Sequence, residues 1–411
     1  MRTAPLLIGL LLAGCAATPP VKTPGTYSFI AIGDHGYDLR HLDPEDTDPP
    51  MTPADFIAEE RKDWAKDKRP TAEFKAGPYT IVQPSRGAVA ASGMMSVSNA
   101  MRRWCETKAC QFGVMLGDNI YPDGADGIDD SARFRDIFTE PYGRFAKLSP
   151  DFRLYATLGN HDWHTSREGA LAQAAWLKAN KPFYMDGFIY RVSPPETKGE
   201  VEIFVLDTHL LLNGGKVMED ALADDGSEIS SADYEQPGAW EKPVTALEKA
   251  QAAWLSQALK SSTARWKIVI GHHPLWASAG GKYRQSEALR AAILPVLCED
   301  ADMYLAGHEH TLEAFTDACE TALPGKAVKP LPAIVSGAAG KQRPLNTAFM
   351  RFQLAKAKGL KQLHAQGMVW GAAHLTLAPE TATITFITTP DDASGMPVAT
   401  GSYSFARRSG K

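Results

Sequence analysis

Five short segments of the sequence combine glycine with side chains that can bind metal ions or transfer protons. Each carries aspartate, asparagine, tyrosine or histidine within four residues of the glycine. The segments are GDHG (33–36), GDNIY (117–121), GNHD (159–162), GHHP (271–274) and GHEH (307–310). Carboxylate, amide, phenol and imidazole groups are ligands for metal ions. One histidine-rich segment is as often structural as functional, but five of the same kind indicate a shared site.

Each of the five segments follows a short apolar run that predicts a buried β-strand. Runs rich in β-branched and aromatic residues, without alternation, are typical of strands buried on both faces. The five runs cover residues 27–32, 112–116, 154–158, 267–270 and 303–306. Because the carboxyl ends of strands in an α/β sheet open onto one crevice, we expect the five segments to converge there.

Other periodic segments predict the rest of the fold. Two further strand-like runs cover residues 201–206 and 333–335. Helical stretches lie between the strands at 94–104, 170–179, 246–259 and 286–297. Residues 368–377 and 381–388 are separated by a turn and predict an antiparallel pair. Alternating strands and helices indicate an α/β fold, with one mixed sheet or two packed sheets flanked by helices.

In this order, the motifs resemble those of the purple acid phosphatases in the calcineurin-like metallophosphoesterase superfamily. The family pattern is DxG, GDxxY, GNH[DE], a histidine after a strand, and GHxH, and the resemblance extends roughly from Tyr27 to the final hairpin. It implies a four-layer sandwich of two mixed β-sheets flanked by helices, with a dinuclear metal site. The motifs are specific for the metal site and say little about the substrate.

The resemblance and the side-chain chemistry together predict seven metal ligands. Asp118 has two carboxylate oxygens and is the natural bridge between two ions. Asp34, Tyr121 and His310 would complete site one, and Asn160, His272 and His308 would complete site two. Gly36 stands where most relatives in the superfamily carry a histidine ligand, and Tyr121 supplies the missing donor. His35 is adjacent to Asp34 and should point elsewhere, so we expect it to be structural.

The charges of these ligands favour different ions at the two sites. Site one receives Asp34, Tyr121 as phenolate and a share of Asp118, whereas site two receives a share of Asp118 and neutral donors. A phenol, with an ordinary pKa of about 10, loses its proton readily only beside a strong Lewis acid. We therefore expect Fe(III) at site one and Fe(II), Zn or Mn at site two. With one hydroxide, this pair leaves about one positive charge to attract phosphate.

These ligands imply metal-assisted hydrolysis of a phosphate ester. The resemblance implies that a metal-bound hydroxide attacks phosphorus in line while the second ion orients a phosphoryl oxygen. His161 follows the ligand Asn160 and would protonate the leaving group as a general acid, with Asp162 orienting it. The candidates to line the phosphate pocket are His164, His209 and His273.

Three functions remain open at the level of the sequence. The first is an acid phosphatase acting on small phosphate monoesters, and the second is a phosphodiesterase or nucleotide-cleaving enzyme. The third is a non-enzymatic metal-binding lipoprotein, against which the proposed acid argues. The 43 basic and 48 acidic residues give a formal net charge of −5, so we expect no nucleic-acid partner. The sequence indicates no obligate protein partner.

The first residues predict export and a lipid anchor. Arg2 precedes an apolar run over residues 4–12 that is too short to span a bilayer. The string LAGC resembles a bacterial lipoprotein processing box, so residues 1–14 would be removed and Cys15 would carry the lipid. Residues 15–26 would form a Pro-rich tether. By resemblance to enteric lipoprotein sorting, Ala16 after the cysteine implies the outer membrane, with the protein facing the periplasm.

The other four cysteines favour disulfides, because an exported protein meets an oxidising compartment. Their spacing shows no CxxC zinc pattern. Of three possible pairings we prefer Cys105 with Cys110 and Cys298 with Cys319, since each closes a short local loop.

The remaining chain is expected to form one metallophosphatase domain over residues 27–411. Two insertions, at about 38–86 and 210–243, are rich in Pro, Asp, Glu and Gly and interrupt the alternation of strands and helices. Long segments of this kind inside a compact domain are usually functional or disordered. They leave the dinuclear site intact, but the form of the substrate pocket stays open, and lids, dimer contacts and disorder are the alternatives for the two insertions.

Overall fold

Two seven-stranded β-sheets form the centre of the fold. The computed structural model describes residues 23–43, 53–66, 68–74, 92–213, 246–278, 283–345, 347–390 and 394–408. Parallel strands in the middle of each sheet carry the predicted ligand segments at their carboxyl ends. Antiparallel strands extend one side of the first sheet and both sides of the second, so both sheets are mixed.

The first sheet is built from both ends of the described chain. Its strands are β1 (Tyr27–Ile32), β2 (Phe112–Leu116), β3 (Leu154–Thr157), β4 (Phe183–Tyr184), β12 (Trp370–Leu377), β13 (Thr381–Thr389) and β14 (Val398–Ala406). They lie in the order β14-β13-β12-β1-β2-β3-β4. Strands β1 to β4 run parallel, and β12 pairs antiparallel with β1. The predicted antiparallel pair near the C-terminus is therefore part of this sheet.

The second sheet is built from the middle of the chain. Its strands are β5 (Tyr190–Val192), β6 (Val201–Val205), β7 (Trp266–Ile270), β8 (Met303–Ala306), β9 (Leu312–Asp317), β10 (Leu331–Ser336) and β11 (Leu360–Gln366). They lie in the order β11-β9-β10-β8-β7-β6-β5. Strands β6, β7, β8 and β10 run parallel, and the other three are antiparallel to their neighbours.

Helices cover the outer faces of the sheets. They are α1 (Pro53–Lys66), α2 (Met94–Lys108), α3 (Ser131–Phe134), α4 (Glu140–Tyr142), α5 (Arg167–Ala179), α6 (Thr208–Leu212), α7 (Ala246–Lys249), α8 (Gln251–Ser261), α9 (Tyr283–Asp300) and α10 (Thr347–Lys356). The helix predicted over 246–259 is thus two helices, separated at Ala250. None of the described helices is long and apolar enough to cross a membrane.

Alternation along the second sheet shows how the layers pack. Ile268 and Ile270 of β7 belong to the same buried apolar cluster as the first sheet, whereas Val269 between them packs with Leu255 of α8 and Leu289 of α9. Successive side chains of a strand point to opposite faces. One face of this sheet therefore meets the first sheet and the other meets helices. The predicted four-layer sandwich of two mixed β-sheets flanked by helices is confirmed.

Both predicted disulfides are present, Cys105–Cys110 and Cys298–Cys319. The predicted signal segment, Cys15 and the tether up to residue 22 lie outside the described residues. Of the second insertion, only residues 210–213 are described. The described part of the first insertion contains α1, whose Trp64 packs against Phe349 and Phe352 of α10. This part of the insertion therefore contains a helix that packs against α10, in the C-terminal half of the chain.

Candidate metal centre

All seven predicted ligands come together where the carboxyl ends of the two sheets meet. Asp34 follows β1, Asp118 and Tyr121 follow β2, and Asn160 follows β3 of the first sheet. From the second sheet, His272 follows β7, and His308 and His310 follow β8. Ligand atoms of Asp118, His272 and His308 all lie within 4.8 Å of one another. The convergence expected from the strand ends is therefore realised across two sheets and not within one.

Site one is organised around the hydroxyl of Tyr121. This hydroxyl lies 2.8 Å from Asp118 Oδ2, 3.1 Å from Asp34 Oδ1 and 3.2 Å from His310 Nε2. His310 Nε2 is also 3.5 Å from Asp34 Oδ1. All four side chains are buried. Three oxygens and one ring nitrogen therefore converge on one point, a donor set suited to a hard or borderline metal ion.

Site two is organised around Nε2 of His272. It lies 3.0 Å from Asn160 Oδ1, 3.0 Å from His308 Nδ1 and 3.2 Å from Asp118 Oδ1. The other ring nitrogen of His272 donates to the carbonyl of Leu116 at 2.8 Å. Because a carbonyl only accepts, this bond leaves the lone pair on Nε2, the nitrogen that would bind a cation.

Asp118 connects the two sets of donors. Its Oδ2 faces the hydroxyl of Tyr121 in site one, and its Oδ1 faces His272 in site two. Asp34 and Asp118 are both almost completely buried. A buried carboxylate is energetically costly unless a cation, a metal ion or hydrogen bonds compensate its charge. The arrangement therefore fits the bridging role predicted for Asp118 between two metal ions.

The backbone at three of the ligands has an uncommon conformation. The φ angles of Asp34, Asp118 and His308 are 56°, 49° and 68°. A non-glycine residue in this left-handed region costs about 1 kcal/mol or more and is often found at functional sites. Neighbouring glycines make room for the carboxylates, since a Cβ on Gly307 would lie 2.5 Å from Asp34 Oδ2. The backbone is therefore strained at three of the residues that are predicted to bind metal.

Burial and negative charge shift the pKa values of Tyr121 and His272, one predicted ligand from each site. Burial, followed by the charges of Asp118 and Asp34, raises the pKa of Tyr121 well above its ordinary value of 10.0. Burial alone would lower the pKa of His272, but the charge of Asp118, their hydrogen bond and the charge of Asp34 raise it to about 9. The negative charge of Asp118 and Asp34 raises both pKa values, and for Tyr121 it adds to the larger effect of burial. Cations placed among these donors would neutralise that charge and reverse both shifts.

His161 lies on the open side of site one. Its backbone N–H donates to Asp118 Oδ1 at 3.0 Å, and its ring centroid lies 4.3 Å from that of Tyr121. The ring Nδ1 donates to the carbonyl of Pro122. This bond assigns one proton to Nδ1, so that Nε2 is the atom that can exchange a proton with a substrate. This position is compatible with proton transfer to a substrate, and the general-acid role of His161 stays a prediction.

Asp162 does not orient His161 as we expected. Its carboxylate accepts hydrogen bonds from the backbone of Gly159 (2.7 Å), Asn119 (3.0 Å) and Ile120 (3.1 Å), and from the side chain of Gln173 (2.9 Å). Consecutive side chains in the 3-10 turn His161–Trp163 point in different directions, and Asp162 points into the interior. Its role is to join the two loops that carry Asp118 and Asn160.

The three pocket candidates lie at different distances from the centre. The ring of His273 is 4.3 Å from that of His308, and its Nδ1 lies 2.8 Å from the hydroxyl of Thr208. His164 lies 4.5 Å from His161, centroid to centroid, on the open side. His209 is buried farther back, between the rings of Trp163 and His273. Of the three, His164 and His273 contact residues of the predicted site.

His35 is structural, as expected. Its Nε2 lies 3.1 Å from Asn119 Oδ1, and its ring packs edge-on against Phe138 and Tyr142. Burial lowers its pKa to about 4, so the ring is neutral. The hydroxyl of Tyr121, which is predicted to supply the donor that this loop lacks, lies 3.1 Å from Asp34 Oδ1.

Two supporting residues were not found from the sequence. The hydroxyl of Thr208 accepts from the backbone N–H groups of His272 (3.1 Å) and His273 (2.9 Å) and so fixes the loop after β7. Gln285 Oε1 lies 2.9 Å from His308 Nε2. Neither was assigned a role from the sequence, and no sequence signal points to Gln285, because its partner is set by the packing of α9 beside β8.

Comparison with known families agrees with this geometry. Residues 98–312, more than half of the chain, match the family described as calcineurin-like phosphoesterase. The matched range includes six of the seven predicted ligands, all except Asp34. The chain belongs to the calcineurin-like phosphoesterase family.

Individual proteins are also similar to this chain. Tartrate-resistant acid phosphatase type 5 of Oryctolagus cuniculus is 25% identical over 328 residues, which are 79% of this chain and 89% of that protein. Purple acid phosphatase 4 of Arabidopsis thaliana is 30% identical over 223 residues, or 53% and 57% of the two chains. The solved structure of GAP50, the anchor in the inner membrane complex of Plasmodium, superposes with a TM-score of 0.56 at 14% identity, covering 94% of this chain and 90% of that one. This last similarity concerns the fold alone.

Proposed function

We propose that this protein is an acid phosphatase that hydrolyses small phosphate monoesters at a dinuclear centre. Fe(III) would occupy site one, and Fe(II), Zn or Mn would occupy site two. The observation that carries the proposal is the hydroxyl of Tyr121, which lies within 3.2 Å of Asp118, Asp34 and His310. The names of the similar acid phosphatases support the same activity.

The position of Tyr121 favours a trivalent ion at site one. Its hydroxyl donates towards two buried carboxylates, and their charges oppose its ionisation. A strong Lewis acid is needed to displace that proton. Site two contains neutral donors besides its share of Asp118, and these suit a divalent ion.

Within this centre the bound ions would supply the nucleophile and neutralise the charge of the phosphate. The other steps belong to the chain. The buried ligands exclude water from the back of the site, and the backbone N–H of His161 holds Asp118 in place. The Pro122 carbonyl stabilises the proton on Nδ1 of His161, so that Nε2 can give its proton to the leaving alkoxide.

The location of the protein is also part of this proposal. The LAGC string at residues 12–15 supports an anchor on Cys15 in the cell envelope, facing the periplasm. Both disulfides are compatible with that compartment.

The test begins with metal analysis of the purified protein, followed by assays on 4-nitrophenyl phosphate and bis(4-nitrophenyl) phosphate at acidic pH. We expect a higher kcat/KM for the monoester, and loss of metals and activity in Asp118→Asn. Faster turnover of the diester would favour a phosphodiesterase or nucleotide-cleaving enzyme instead. No turnover of either ester with both metals bound would favour a metal-binding lipoprotein without enzymatic activity.

A further inference from the structure

An aromatic cluster joins the first insertion to the start of α9. We name it the Arg69 cluster, and it consists of Arg69, Trp64, Tyr283, Phe349 and Phe352. The guanidinium carbon of Arg69 lies 3.8 Å from the ring centroid of Phe352, 4.6 Å from that of Tyr283, 5.3 Å from that of Trp64 and 5.4 Å from that of Phe349. A guanidinium group stacks favourably on aromatic faces. The cluster therefore ties three separate parts of the chain together.

Contacts inside the insertion hold Arg69 in this position. After α1 ends, the backbone N–H of Arg69 donates to the carbonyl of Trp64 at 3.2 Å. The indole N–H of Trp64 in turn donates to the carbonyl of Pro70 at 3.0 Å. Trp64 is 3% exposed and packs edge-on against Phe349, with 5.2 Å between the two ring centroids. The insertion thus presents a fixed cation to the ring of Tyr283.

The first turn of α9 connects this cluster to the metal centre. Tyr283 is the first residue of α9, and Gln285 lies two positions later. Gln285 is 5% exposed, and its Oε1 accepts a hydrogen bond from His308 Nε2 at 2.9 Å. This bond leaves the lone pair of His308 on Nδ1, which lies 3.0 Å from His272 Nε2 in site two. The orientation of a predicted ligand therefore depends on where α9 begins.

We infer that the first insertion acts through the Arg69 cluster and Gln285 to position His308 for the cation at site two. Arg69 and Gln285 are then positioning residues, since neither contacts the reacting atoms. The inference rests on the dinuclear centre of the proposed function but does not require hydrolysis. Loss of such a supporting hydrogen bond typically lowers metal affinity about 10- to 100-fold. A residue that acts on a site through packed neighbours typically changes the affinity of that site by about 2- to 30-fold.

The test measures Zn²⁺ affinity at site two in the iron-loaded full chain, from which the divalent ion has been removed by a chelator. We expect Gln285→Leu to weaken binding about 10- to 100-fold and Gln285→Glu to restore it, since a carboxylate also accepts from His308. Arg69→Ala should weaken it about 2- to 30-fold. In the double variant, Arg69→Ala should add little to Gln285→Leu, because both act through one contact. The visible band from site one should be unchanged throughout.

Arg61→Ala is the matched control. The Arg61 guanidinium lies 4.4 Å from the ring centroid of Phe74 within the insertion, and its loss should leave Zn²⁺ affinity unchanged. If Arg69→Ala does not yield folded protein, Arg69→Lys replaces it, since it retains the charge but loses the planar stacking.

An unchanged Zn²⁺ affinity in the Arg69 variant, or an additive effect in the double variant, would overturn the inference. A wild-type chain that binds neither iron nor zinc would instead contradict the proposed function.

Discussion

Replacement of His161 by alanine tests the proposed proton transfer most directly. The substitution removes the imidazole ring that lies 4.3 Å from the ring of Tyr121. It keeps the backbone N–H that donates to Asp118 Oδ1 at 3.0 Å. We therefore expect the variant to fold and to bind both metals with the wild-type stoichiometry. The substitution should therefore slow only the step of hydrolysis in which the leaving group takes up a proton.

The size of that effect follows from the role of the ring. General acid catalysis by a positioned histidine contributes about 10²- to 10⁴-fold, or about 2.7 to 5.5 kcal/mol of the activation free energy. An alkoxide needs this proton, because it is a strongly basic leaving group. A nitrophenolate is stable without it. We expect His161→Ala to lose about 10²- to 10⁴-fold in kcat/KM on glycerol 2-phosphate and far less on 4-nitrophenyl phosphate.

The assay compares the two substrates for wild-type protein, for His161→Ala and for His364→Ala. His364 is a matched control because it lies on β11, an edge strand of the second sheet. Its ring stacks on that of Phe386. The control should lose the same small factor on both substrates. Equal losses on both substrates in His161→Ala, with both metals retained, would refute the general-acid assignment.

Two further predictions concern the chromophore and the stability. Tyr121→Phe removes the hydroxyl between Asp118 and Asp34, so the iron-loaded variant should lack the phenolate-to-iron visible band in an absorption spectrum. An unchanged band would exclude Tyr121 as its source. Burial raises the pKa of Glu313 from 4.5 to about 7, so its contribution to stability is complete below pH 4.5 and is lost as the pH rises through 7. Glu313→Gln stays neutral, so its free energy of unfolding relative to the wild type should rise by at most about 3 kcal/mol between pH 4.5 and 8, at about 1.4 kcal/mol per pH unit. Urea unfolding of both proteins across this pH range measures the difference. Parallel pH profiles of the two proteins would contradict the prediction.

The sequence was sufficient for the parallel core of the fold but not for its edges. Strands β1, β2 and β8 have the predicted bounds, because strands buried on both faces are uninterrupted apolar runs. Strand β14 (Val398–Ala406) was missed because most of its side chains are exposed at the edge of the sheet, where small and polar residues are tolerated. The pairing of β14 with β13 is set by tertiary context and not by an apolar pattern.

The same contrast holds in the candidate site. The ligands could be predicted because each follows a strand directly, so that topology alone brings them together. Asp162 was misassigned because adjacency to His161 in the sequence does not give the direction of its side chain. Gln285 could not be predicted, because its contact with His308, 23 positions later in the sequence, depends on how α9 packs beside β8. Helix α1 was missed for a similar reason, since polar residues surround the few that pack on α10.

Each proposed metal site takes ligands from both sheets. Site one combines Asp34 and Tyr121 of the first sheet with His310 of the second, and site two combines Asn160 with His272 and His308. Metal binding would therefore act as a cross-link between the two halves of the sandwich. A ligand at 1,000 times its Kd that binds only the folded chain adds about 4 kcal/mol to the free energy of unfolding.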